Sequence, residues 1–168
     1  GEEYVRFRPR DYLDHISEHI EPWSYTKFPY LKNIGWRGFV EGRDSGIYRV
    51  NSLARLNVAD VPTDEAREAQ RDMFKVLGTR PSHATLGFHW ARLIENIYAS
   101  ERMLELVGDD DILGRDVLNT EGEVQGRGVG VVEAPRGTLI HDYRCDSQGR
   151  ITHVNMIVAT VHNNAAIN

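Results

Sequence analysis

Arg136 and Thr160 are the side chains whose types and spacing could do chemistry together. They bracket two β-rich runs, Thr138 to Cys145 and Arg150 to Thr160, separated by the turn sequence Asp146-Ser147-Gln148-Gly149. With the turn centred between Ser147 and Gln148, antiparallel pairing sets Cys145 opposite Arg150, Arg136 opposite Ala159 and Pro135 opposite Thr160. Opposed residues hold their Cβ atoms about 4.5–5.5 Å apart, so Arg136 and Thr160 are expected to be neighbours at the open end of a hairpin. A bulge would slip that register by one residue. The end would offer a fork of guanidinium donors, a hydroxyl, and a proline that lacks an N–H. Such a set suits an anion or the polarisation of a small bound molecule. An arginine at a strand start can equally pair with a nearby carboxylate.

Other constellations carry less. His15 and His19 sit four residues apart on an expected helix, a zinc-site spacing, but Ile16 stands where the metalloprotease motif has Glu; a solvated pair is the expectation. Asp109-Asp110-Asp111 lacks the Gly and distal Glu of a calcium loop and reads as a solvated turn. The glycines between Glu121 and Gly130 lack a strand–GxGxxG–helix setting and read as a flexible approach to a strand. The single cysteine, Cys145, can form neither an internal disulfide nor a multi-cysteine metal site.

The elements that must position Arg136 and Thr160 follow from periodicity. Tyr12, Leu13, Ile16 and Ile20 predict a helix over 10–20, ended by Pro22. Residues 22–62 are rich in Pro, Gly and aromatics and predict irregular, aromatic-packed connection with a short hairpin from Gly42 to Val50. Thr63-Asp64 opens a second helix with Ala66, Ala69, Met73, Phe74 and Leu77 inward and Gly78 as its stop. A third runs from Ser82 to Val107 on the stripe Leu86, Trp90, Leu93, Ile94, Ile97 and Leu104, contacted from more than one side. The expected class is α+β: long helices beside a small antiparallel sheet around 129–160. We expect one domain over 1–168, mainly helical over 1–110.

Composition is that of a globular protein, with 40% hydrophobic and 27% charged residues in 168. A net charge of −5 argues against nucleic acid as a partner. No apolar run approaches the ~20 residues of a membrane span, and the opening residues lack a signal-peptide core. The charged opening without Met and the stop at Asn168 suggest a segment excised from a longer protein.

The block Glu133-Ala134-Pro135-Arg136-Gly137-x-Leu139-x-His141 resembles the signature of the large subunit of nickel–iron hydrogenases. The stretches Trp23 to Tyr30, Gly46 to Val50, Leu53 to Asp60, His89 to Glu95 and Asn163 to Asn168 resemble, in order, the cytoplasmic, cofactor-coupled branch of that family. The resemblance implies a central fragment of a large subunit whose parent interconverts dihydrogen with protons and electrons at a nickel–iron centre carrying cyanide and carbon monoxide. It implies Arg136 over the metals as catalytic residue, Ala134 and Pro135 lining the diatomic-ligand pocket, and Thr160 donating to a cyanide. As partners it implies an iron–sulfur small subunit, together with electron-transfer subunits linked to NAD or deazaflavin. His141 matches the motif and reads as a structural hydrogen-bonding residue, and the carbonyl near Met156 would approach a magnesium ion.

Both metal-binding Cys-x-x-Cys pairs of that family are absent, and Asp142 replaces a second histidine found in many relatives. The fragment alone is thus expected to hold no cofactor and to be inactive. The alternative is the related large peripheral-arm subunit of respiratory quinone reductases. That subunit usually reads Lys-Gly-Glu where this chain has Arg136-Gly137-Thr138. A stand-alone interaction module is the third reading.

Overall fold

The computed structural model describes residues 5–40, 42, 44–118 and 121–167. Residues 1–4 of the opening segment, Arg43 within the expected Gly42–Val50 hairpin, and Asn168 of the closing motif lie outside the described residues. The architecture is mixed α and β, with five α-helices and two small antiparallel sheets among the described residues. The chain forms two compact units, one running from Ser52 to Glu123, the other joining the stretch up to Asn51 with that from Val124 on.

The first unit is helical. It holds α2 (Ser52–Val58), α3 (Asp64–Leu77) and α4 (Gly87–Val107) around a core of Leu53, Leu56, Val61, Ala66, Met73, Ala91 and Ile94. The start and stop of α3 are those expected, with Gly78 in the left-handed region (φ 72°) that its missing Cβ permits. Its N-terminus is closed from outside, because Glu101 of α4 accepts from the Glu65 and Ala66 amides at 3.1 Å and from the Thr63 hydroxyl at 2.6 Å. Buried Gln70 closes the end of α2, donating to the Leu56 and Ala59 carbonyls (2.9 and 2.8 Å) and accepting from Val61 N. Every polar atom of that side chain is thereby satisfied. The Arg55 guanidinium grips Glu95 through two bonds of 2.6 and 2.8 Å, tying α2 to α4.

Two expectations for α4 are corrected. It starts at Gly87 rather than Ser82, and its buried line is Gly87, Ala91 and Ile94. Leu86, Leu93, Ile97, Met103 and Leu104 are exposed, Leu93 at 63% and Leu104 at 79%. The helix has two apolar faces, and the one with small residues wins the packing because Gly and Ala let neighbouring backbones approach closely.

The second unit is built on strands. The expected helix over 10–20 is only one turn, α1 (Tyr12–His15), followed by β1 (Ile16–Ile20) paired antiparallel with β2 (Lys27–Leu31). Four apolar residues at helical spacing are outweighed by the pairing available to Ile16–Ile20. His15 and His19 therefore do not share a helix face; His15 stacks on Phe7 at 4.5 Å and His19 on Trp36 at 4.4 Å. Trp23, Phe28, Trp36 and Phe39 pack as a ring cluster on this hairpin, with Phe28 buried and Trp23 and Tyr25 exposed, and β2 runs through what the sequence predicts as irregular connection. The short hairpin from Gly42 to Val50 does not form, since no strand is assigned among its described residues.

The larger sheet runs β3 (Arg127–Ala134), β4 (Gly137–Cys145), β5 (Ile151–Ile157), with β4 in the middle. The glycine-rich stretch is thus partly a strand, with Val129 pairing Asp142 and Ala134 pairing Gly137. Tyr12, Ile16, Ile140 and Ile157 form the core, flanked by Phe7, Tyr48, Val129 and Val161. A short α5 (Asn164–Ile167) follows a 3-10 turn at Val161–Asn163. No helix among the described residues is long and apolar enough to cross a membrane.

Candidate functional site

Pro135 and Arg136 form the two-residue turn that joins β3 to β4, and both are exposed. Arg136 has no ion pair with a described residue. Ala134 is half-buried at the end of β3. Thr160 lies three residues beyond β5, exposed at the start of the 3-10 turn. Because β5 leaves the sheet at the Ile140–Ile157 pair, near the beginning of β4, the Arg136 turn and Thr160 share one end of the sheet.

The register that the sequence implied is corrected. Cys145 faces Ile151 rather than Arg150, and beyond a bulge at Arg144/Cys145 the slip grows to two, with Arg144 facing His153 and Ile140 facing Ile157. Arg136 is in a turn rather than a strand and is not paired with Ala159. The cause is the β4–β5 loop: Asp146 Oδ1 accepts from Gln148 N and Arg150 N at 2.9 and 3.0 Å, and Gly149 adopts φ 77°. The loop therefore lengthens and a bulge forms.

The turn is braced from one side. A Cβ built on Gly137 would lie 2.2 Å from Val50 Cγ2 and 3.1 Å from Asn51 N, and Gly137 has φ 128°. Val50 N donates to Asn163 Oδ1 at 2.8 Å, and Asn163 N donates to the Thr160 carbonyl at 3.1 Å. The Tyr48 hydroxyl meets His162 Nδ1 at 2.5 Å. Burial pushes the His162 imidazole down to about 4, in opposition to the Ile157 backbone, and raises the Tyr48 phenol. His162 Nε2 is buried and makes no hydrogen bond of good geometry among the described residues.

A second group of residues, unforeseen from the sequence, is a buried polar chain. Arg127 grips Asp142 through two bonds of 3.0 and 2.8 Å. The Tyr12 hydroxyl donates to Asp142 Oδ2 at 3.1 Å and accepts from Asn155 Nδ2 at 2.9 Å. Asn155 also reaches Glu18 Oε2 at 3.4 Å, and Lys27 Nζ reaches it at 3.2 Å. Asp142 is 2% exposed, and the Arg127 guanidinium, aided by the Tyr12 hydroxyl, holds its carboxyl below the usual range. Desolvation by burial raises the Tyr12 phenol. Glu18 Oε1 is buried without a partner among the described residues. Strand alternation could have placed Asp142 inward, but nothing local named Arg127 as its partner.

No group of three or more His, Cys, Asp or Glu among the described residues could hold a metal ion. Cys145 is a free, half-buried thiol. Asp109 caps an exposed 3-10 turn, Asp110–Leu113, its Oδ1 accepting from Asp111 N at 3.0 Å. His141 bonds the Tyr143 hydroxyl at 2.9 Å, a structural contact within β4.

No family model matches the chain. It is 52% identical over 168 residues to an iron–sulfur subunit of the F420-non-reducing hydrogenase of Archaeoglobus profundus, covering 100% of this chain and 35% of that protein. It is 45% identical over 165 residues to the beta subunit of the NAD-reducing hydrogenase HoxS of Cupriavidus necator, covering 96% and 32%. The fold matches a crystal structure of NAD+-reducing [NiFe]-hydrogenase in the H2-reduced state with a TM-score of 0.85 and 42% identity, over 96% of this chain and 34% of that one. The chain spans about a third of the length of the relatives it matches.

These likenesses correct the narrower assignment to a nickel–iron large subunit, and with it the role of the chain as the central part of such a dihydrogen-cleaving subunit. One relative is named as an iron–sulfur subunit, the other as a beta subunit, and neither name is that of a nickel–iron large subunit. The motifs from Trp23 to Asn163 mark similarity of sequence and do not by themselves say which subunit of an assembly carries them. In both sequence and fold the chain is related to hydrogenase subunits.

Proposed function

We propose that this chain is a segment of one component of a cytoplasmic hydrogenase assembly, and that the sheet end bearing Ala134, Pro135, Arg136 and Thr160 faces that assembly's metal centre. The observation that carries the reading is Arg136: its guanidinium is exposed at the apex of a two-residue turn, without a carboxylate partner among the described residues, on a braced backbone. The donor set fits a surround rather than a ligand shell. It offers N–H and O–H donors from Arg136 and Thr160 with apolar walls from Ala134 and Pro135, and no metal ligands.

A nickel–iron pair with cyanide and carbon monoxide ligands, bound through residues outside this set, would supply the redox chemistry. Arg136 would donate to an anionic group there and stabilise negative charge, as preorganised donors do at low dielectric. Thr160 would donate a second bond, and the Ala134–Pro135 wall would keep water off. The partners would be the other hydrogenase subunits, among them an iron–sulfur small subunit, with electron-transfer subunits linked to NAD or deazaflavin.

The test is Arg136→Ala in the assembled hydrogenase, with metal content measured alongside turnover. Loss of a preorganised donor predicts a fall of about 100-fold or more in kcat with metal content retained. Wild-type kcat in that variant would overturn the reading.

A further inference from the structure

We propose that Asn163 and Asn51 are positioning residues that, through the segment Tyr48–Asn51, fix the Pro135-Arg136 turn relative to Thr160. This deepens the reading of the Arg136 corner and rests on it. Asn163 acts in two directions: its backbone N–H donates to the Thr160 carbonyl at 3.1 Å and its side-chain oxygen accepts from Val50 N at 2.8 Å. It is 6% exposed, so neither bond is exchanged readily for water. Val50 and Asn51 N in turn lie against Gly137, where there is no room for even one carbon. Thr160 and Arg136 are thus linked in a short chain of contacts: Thr160, Asn163, Val50, Gly137, Arg136.

Two features show that this brace is held in one geometry. Asn51 has φ 102°, the one positive φ outside glycine among the described residues, and it is buried. Strained backbone of that kind persists only where its surroundings over-determine it, and it clusters at functional sites. Gly137, on the other side of the contact, has φ 128°. Strained backbone at Asn51 on one side of the contact, and on the other a glycine whose φ and close approach admit no side chain, leave the turn little freedom to drift. A misplacement of about 1 Å near reacting groups can cost roughly 100-fold in rate.

The experiment compares Asn163→Ala, Asn163→Asp and Arg136→Lys in the assembled, full-length hydrogenase. Its readouts are metal content, the infrared stretching bands of metal-bound diatomic ligands, and kcat and KM for dihydrogen. The expected result is that Asn163→Ala shifts the bands and lowers kcat by about 10-fold or more, with KM and metal content unchanged. Asn163→Asp keeps an acceptor for Val50 N and restores both. Unmoved bands and kcat in Asn163→Ala, while Arg136→Lys is impaired, would overturn the positioning role and leave the corner reading standing. A lowered melting temperature with unmoved bands would also overturn it, as a merely structural effect. If Arg136→Lys is silent too, the corner reading fails and the inference falls with it. Should Asn163→Ala not assemble, Asn51→Gly takes its place: relaxing φ 102° is expected to broaden or shift the bands, and unchanged bands overturn the proposal.

Discussion

Gly137 and Val50 touch so closely that one added carbon on the glycine would fall 2.2 Å from Val50 Cγ2. Gly137→Ala must therefore both strain a φ of 128° and displace Val50. We expect a loss of about 1–3 kcal/mol in chemical denaturation. Adding Val50→Ala should recover part of that loss by removing the Cγ2 contact, while the 2.9 Å approach to the residue-50 Cβ and the backbone strain stay. No recovery in the double variant would mean that the Cγ2 contact contributes nothing to the cost.

The Arg127–Asp142 pair should be felt in stability. Asp142→Asn leaves the guanidinium half-satisfied, and we expect a cost of about 2 kcal/mol at neutral pH, discounted from the ~3–5 kcal/mol of a fully buried pair because the Arg127 side chain is 37% exposed. Replacing both partners by apolar residues of similar size should cost less than Asp142→Asn alone. Urea denaturation of the three proteins decides the matter; a double variant worse than the single would contradict it.

His162 sets a pH window. Its folded value lies near 4, below the ordinary 6.5, so the unfolded chain takes up the proton first as pH falls. Stability is full above pH 6.5, is lost progressively towards about 4, and levels off below. The total loss from this group is about 3 kcal/mol. The Asp142 carboxyl, also depressed, contributes stability above the usual carboxylate range that is lost only as pH falls below it. His162→Asn should flatten the curve between 6.5 and 4 and spare the more acidic limb; an unchanged slope in that window would refute the assignment.

Glu101 gives α3 its N-terminal cap from a different helix. The Thr63 hydroxyl and the α3 amides hold its carboxyl below the usual range. Glu101→Gln should therefore lower the melting temperature, and amide hydrogen exchange at Glu65 and Ala66 should speed up before the rest of α3 does. Uniform exchange along the helix would show that the cap is not local.

The sequence made α3 legible because both its boundaries carry a chemical mark: Thr63-Asp64 at the start, although the cap itself comes from Glu101, and a left-handed Gly78 at the end. It misassigned the inner face of α4 because Leu93 and Leu104 outweigh Ala91 in hydrophobicity, although the helix docks through Gly87 and Ala91. It placed Arg136 and Thr160 at one end of a sheet but in the wrong register, since a bulge at Arg144/Cys145 leaves no local mark. The strand Arg127–Ala134 was hidden by Gly126, Gly128 and Gly130, whose low strand propensity is overcome by pairing with β4. The polar chain from Arg127 to Lys27 was illegible for another reason. Its members are far apart in sequence and are brought together only by tertiary structure.

Tyr12 reaches Asp142 across 130 residues, with all of Ser52–Glu123 between them. On the ribosome, the contacts within the helical unit can form once Glu123 has emerged. Tyr12 meets Asp142 and Asn155 only after β4 and β5 are made. At roughly 5–20 residues per second the wait is on the order of ten seconds. Through that interval β1 and β2 are an isolated two-stranded ribbon, a form of marginal stability in water. The nascent chain therefore has one half that can close early and one that must be kept from wrong contacts until its last strands arrive.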